Sequence, residues 1–124
     1  MLARWWFWIA ACSLGHRPVL QTGEASFYGE AFAGRPTASG AIFDPDAMTA
    51  AHRTLPLGTE VEVVRTTTGA SVVVTINDRG PYAGDRVLDL SRAAATKLGF
   101  VDEGVTQVEI RLVTCPEGER CGVR

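Results

Sequence analysis

Apolar positions in this chain come in short runs broken by Gly, Pro, Asp and Thr, the spacing of strands rather than of long helices. Glu60-Val61-Glu62-Val63 alternates cleanly, which predicts a strand with one wet face. Val72-Val73-Val74-Thr75-Ile76 is an apolar, β-branched run that stops at Asn77-Asp78-Arg79-Gly80-Pro81, so it reads as a buried strand delivering polar residues to a rim. Strand-like runs are predicted at residues 24–28, 47–51, 60–65, 71–77, 86–90 and 107–113. Thr66-Thr67-Thr68-Gly69 joins two of them as a hairpin, and a Gly- and Pro-punctuated stretch over 29–46 must lie on the surface. One helix is expected over 92–98, because Ser91 can cap it, its alanines favour it and Gly99 can end it. A mainly β fold follows, six short strands and one short helix closing into a small barrel that leaves no sheet edge exposed.

The amino terminus follows a different pattern. Arg4 precedes an apolar run over 5–11 that is too short to span a bilayer but long enough for the core of a signal peptide. Ile9-Ala10-Ala11-Cys12 then resembles the lipobox of a bacterial lipoprotein signal, the alternative being a cysteine that merely ends an apolar stretch. The expected organisation is a signal peptide over 1–11, a lipid-anchored tether over 12–22 beginning at Cys12, a barrel domain over 23–113 and a tail over 114–124. The expected address is the bacterial cell envelope, facing the periplasm.

Composition narrows the function. With 124 residues, of which 46% are hydrophobic, the chain builds one core and not two. A net charge of −2 supplies no basic field, so no nucleic-acid partner is expected, and a monomer is. Cys115 and Cys121, with five residues between them, either close a small disulfide loop in an oxidising compartment or stay free. Two cysteines without a nearby histidine do not make a zinc site, and no metal or cofactor is expected.

The candidate chemistry lies at two strand ends. Asp78 lies just past the apolar, β-branched run Val72-Val73-Val74-Thr75-Ile76, and His52 ends Met48-Thr49-Ala50-Ala51, a smaller copy of the same design. Each has a plain structural reading, Asp78 as turn chemistry before Gly80-Pro81 and His52 as a satisfied core histidine. Tyr28, Arg79 and Tyr82 either line a sugar-binding groove or pack the rim and partner an acid.

Taken together, Gly23-Glu24-Ala25-Ser26-Phe27-Tyr28-Gly29, Gly34-Arg35-Pro36-Thr37-Ala38-Ser39-Gly40, Thr49-Ala50-Ala51-His52, Thr54-Leu55-Pro56-Leu57-Gly58-Thr59, Asn77-Asp78-Arg79-Gly80-Pro81 and Asp89-Leu90-Ser91 closely resemble the rare lipoprotein A family in order and spacing. The resemblance implies a double-psi β-barrel acting as an endolytic peptidoglycan transglycosylase. Such an enzyme needs no separately activated water, because a hydroxyl of the substrate attacks intramolecularly and leaves an anhydro sugar. By resemblance Asp78 is the active-site carboxyl, giving and recovering a proton, and His52 is the active-site histidine. The chain departs from the family at Ala41, where a glutamate is usual eleven positions before His52. An alanine carries no proton, so a weak enzyme, or an expansin-like barrel that binds glycan without cutting it, stands as the alternative. A scaffold protein of cell division is a weaker third reading.

Overall fold

A computed structural model describes residues 17–29 and 32–122. The signal segment and Cys12 fall outside the described residues. Six strands form the sheet: β1 Val19–Phe27, β2 Thr49–Ala51, β3 Glu60–Arg65, β4 Ser71–Asp78, β5 Leu88–Leu90 and β6 Thr106–Thr114. They close into a barrel in the order β1-β5-β2-β4-β3-β6. β1 pairs with β5, and β2 with β4, in parallel, while the other four pairings are antiparallel.

Alternation builds the interior. Val72, Val74 and Ile76 of β4 point inward while Val73 is 40% exposed, and Val61 and Val63 of β3 join them with Glu60 and Glu62 on the outer side. Leu88 and Leu90 of β5, Val108 and Ile110 of β6 and Phe100 complete one continuous core. Tight sheet closure depends on Gly23 in β1, where a Cβ would lie 2.7 Å from a methyl of Val87.

Helix α1, Arg92–Leu98, begins and ends where the sequence predicts. The Ser91 hydroxyl accepts from the Ala94 amide, and Gly99 adopts φ 83°, the left-handed conformation that a side chain disfavours. Ala94, Ala95 and Leu98 are buried and bring the helix close against β4 and β1.

Other boundaries differ from the pattern. β1 begins at Val19, so residues 19–22, expected as tether, are ladder partners of β6. Val19-Leu20-Gln21-Thr22 has no clean period of its own, and the pairing that orders it comes from a strand some ninety residues away in the chain. β2 and β5 shrink to three residues each, because neighbouring ladders occupy them only at the crossing. The tail is tied down by a disulfide between Cys115 and Cys121, and Cys121 is buried beside Thr59.

Candidate active site

Asp78 is the last residue of β4, half-buried at the barrel mouth two residues beyond the buried Ile76. A register shift between Ala50 and Ala51 decides where it points. Ala50 pairs with Ile76, but Ala51 pairs with Asp78, two residues further on. The bulge therefore aligns Asp78 with Ala51 rather than with His52, its partner in an unbroken register.

Three donors hold the carboxylate. Oδ2 accepts from the Tyr28 hydroxyl at 2.8 Å, and Oδ1 accepts from the backbone amides of Ala38 and Arg79, each at 2.9 Å. Tyr28 is fixed in turn by its amide, which extends the β1–β5 ladder to the Leu90 carbonyl, and by its ring, 4.7 Å from that of Phe43. Burial, followed by the hydrogen bond to Asp78 and the charges of Asp78 and Asp89, pushes the Tyr28 phenol above its ordinary value, so it remains a donor. Ala38 lies on a turn in which Thr37 donates to the Ala41 carbonyl and Ser39 docks on the Asn77 carbonyl. Ala41 is exposed on that same turn.

His52 is 2% exposed, and both ring nitrogens are spent on the protein. Nδ1 accepts from the amides of Thr54 and Leu55 at 3.1 and 3.0 Å, which places the proton on Nε2, and Nε2 meets Gln21 Oε1 at 2.8 Å. Desolvation, reinforced by Arg79 and Arg53, lowers its pKa to about 4. The imidazole makes no hydrogen bond to Asp78; only the backbones join, His52 N–H to the Asp78 carbonyl. The two side chains that the sequence pairs are thus neighbours through the chain and not through their chemistry.

The other candidates separate. Arg79 Nη1 donates to the carbonyls of His52 and Leu55, so its guanidinium braces the loop after β2. Tyr82 is 75% exposed. Asp44 and Asp46, the acids nearest Ala41 in the chain, are both exposed, and Asp44 accepts from the Asp46 amide in a local turn. Two further residues went unassigned in the sequence. Arg53 donates to the carbonyls of Pro81 and Arg86 and clamps the loop between β4 and β5, and Asp89, in β5, is held by the Ser26 hydroxyl at 3.0 Å. Isolated arginines carry no signal for such a clamp, whereas Asp89 was visible in Asp89-Leu90-Ser91 but had no partner to give it meaning.

Asn77 and Arg79, flanking Asp78, each line a surface cleft. One of about 460 Å³ runs past Ala38 and Ser39, and one of about 840 Å³ runs past Thr54 and Arg120; Leu57 borders both. The larger is centred on the disulfide-closed tail rather than on the carboxylate.

A closed six-stranded barrel with two parallel pairings among its strands is a double-psi barrel. The chain belongs to the lytic transglycolase family, whose sequence model matches residues 20–110. Over 92 residues it is 55% identical to a protein of Treponema pallidum named probable endolytic peptidoglycan transglycosylase RlpA, covering 74% of this chain and 29% of that one. Over 93 residues it is 52% identical to the endolytic peptidoglycan transglycosylase RlpA of Neisseria meningitidis, covering 75% of this chain and 39% of the relative. The chain thus matches well under half the length of these relatives. Among solved structures, Streptomyces papain inhibitor superposes with a TM-score of 0.61 at 26% identity, covering 80% of this chain and all of that one. A mutant expansin of Clavibacter michiganensis, solved with cellohexaose, shares the fold at a TM-score of 0.60 and 22% identity, covering 80% of this chain and 54% of that one.

Proposed function

We propose that this barrel is the catalytic domain of an endolytic peptidoglycan transglycosylase. The observation that carries the reading is the Asp78 carboxylate, fixed at the barrel mouth by its own neighbour's amide and by two donors from distant segments, Tyr28 and Ala38. Every partner is a donor, so Asp78 is built to accept. It stabilises the positive charge that develops at C1 of a muramic sugar and takes the proton of the C6 hydroxyl as that oxygen attacks C1. His52 positions the strand end through its buried hydrogen bonds rather than exchanging protons. The clefts lined by Asn77 and by Arg79, the two neighbours of Asp78, offer a glycan strand room beside the carboxylate, and Tyr82 presents an exposed ring on which a sugar can stack.

Digestion of purified sacculi and of peptide-free glycan strands tests this: anhydro-ended products are expected. A second reading, glycan binding without cleavage, is favoured by the exposed Ala41, where the family resemblance implies a glutamate, and it is the outcome if glycan binds while no anhydro ends appear. The protein is proposed to act as a monomer in the cell envelope, lipid-anchored at Cys12 and facing the periplasm. Arg4, the apolar run after it and the cross-linked Cys115–Cys121 pair support that address. Cys12→Ser is expected to release the protein from the membrane, and mass spectrometry finding an unmodified Cys12 in membrane-held protein would contradict the anchor.

A further inference from the structure

The bulge that re-aims Asp78 gives it a counterpart. Ala51 is the ladder partner of Asp78 on one side and of Asp89 on the other. Side chains at paired positions share a face, so the two carboxyls stand on strands flanking Ala51, which presents only a methyl group between them. Two interstrand spacings put their Cα atoms about 10 Å apart. Shortened by the reach of the side chains, this falls in the span over which paired carboxyls cleave glycosidic bonds, roughly 5–9.5 Å.

The surroundings divide the pair. Asp78 accepts three hydrogen bonds, whereas Asp89 accepts one, at Oδ1, from the Ser26 hydroxyl that itself accepts from Arg86. No donor among the described residues contacts Asp89 Oδ2, which leaves that oxygen to carry a proton. We propose that Asp89 is the proton donor of the reaction, protonating the leaving glycosidic oxygen from across Ala51 while Asp78 acts as the acceptor. The groups facing Asp89 agree with this role: burial and the charge of Asp78 raise its carboxyl above the ordinary value, against Ser26 and Arg86, which lower it.

The role rests on the transglycosylase reading of the barrel, and the proton count closes. Asp89 gives its proton to the glycosidic oxygen as the C1–O bond breaks, freeing a 4-hydroxyl on the departing sugar. The C6 oxygen bonds to C1, forming the anhydro ring, and its proton passes to Asp78. Transfer of that proton to Asp89 through solvent restores the site, and no water is consumed.

A leaving group that needs no proton separates the two roles. Wild type, Asp89→Asn and Asp78→Asn are compared on peptide-free glycan strands and on a synthetic muramic-ended oligosaccharide whose leaving group is 2,4-dinitrophenolate. Asp89→Asn should lose about 10²–10⁴-fold on strands yet stay within about tenfold of wild type on the dinitrophenyl glycoside, while Asp78→Asn should lose on both. Equal loss of Asp89→Asn on the two substrates, or no loss on either, overturns the assignment while leaving the transglycosylase reading intact. Wild type cleaving neither substrate removes that reading and the role with it. Should Asp89→Asn fail to fold, the same ratio is read on Asp89→Glu, which keeps a carboxyl but displaces it by one methylene.

Discussion

His52 and Asp78 are joined by a 3.1 Å hydrogen bond from the His52 amide to the Asp78 carbonyl, while the imidazole faces Gln21, Thr54 and Leu55. Their relationship is therefore architectural: the histidine locks the end of β2, and the locked backbone sets the end of β4.

That arrangement predicts an acid-sensitive fold. The folded pKa near 4 lies below the ordinary 6.5, so between these values the unfolded chain holds the extra proton. Stability from this group is complete above about pH 6.5 and is lost as the pH falls toward 4, by on the order of 2–3 kcal/mol. Urea unfolding at pH 7 and pH 4.5 should show a clearly smaller stability difference in His52→Gln than in wild type. Equal differences would mean that His52 is not the sensor.

Asp78→Asn should abolish formation of anhydro ends while leaving the fold and glycan binding largely intact. The amide is nearly isosteric and still accepts from the Ala38 and Arg79 amides, but it cannot take up a proton. Turnover equal to wild type removes Asp78 from the mechanism, and unfolding returns it to turn chemistry.

Tyr28→Phe keeps the ring beside Phe43 and deletes the hydroxyl that reaches Asp78 Oδ2. A hydrogen bond to a charged group contributes about 1.5–3 kcal/mol. The turnover number should fall roughly ten- to hundredfold with little change in KM, and the melting temperature should fall by a few degrees. A raised KM at unchanged turnover would instead make Tyr28 a sugar contact.

Ala41→Glu restores a carboxylate on the turn whose Ala38 amide already holds Asp78. Anhydro-product formation should rise at least roughly tenfold, about 1.4 kcal/mol of barrier, at little cost in stability because the position is exposed. The gain should vanish in the double variant with Asp78→Asn. No gain would show that the two aspartates suffice.

Local signals were the legible ones. The helix was readable to the residue because Ser91 and Gly99 act on their own neighbours, and β3 and β4 were readable from alternation and β-branching. Asp78 was found because a strand end in sequence is a rim in space. The first turn of the chain around the barrel was missed, since Val19–Thr22 take their order from β6. Tyr28 and Arg79 were picked out with a sugar-binding and a structural reading both open, because their partners, a carboxylate and two carbonyls, are brought to them only by closure of the barrel. Asp89 gains its meaning from a one-residue slip between β2 and β4, which no local pattern encodes.

The early start of β1 also sets a working distance. With Cys12 lipidated, only the residues between it and Val19 separate the bilayer from a strand locked into the barrel. Fully extended, that leash measures about 25 Å. On the proposed anchoring the barrel would stay close to the membrane surface as if on a short chain, and only glycan strands that sag or grow to within its reach could become its substrate.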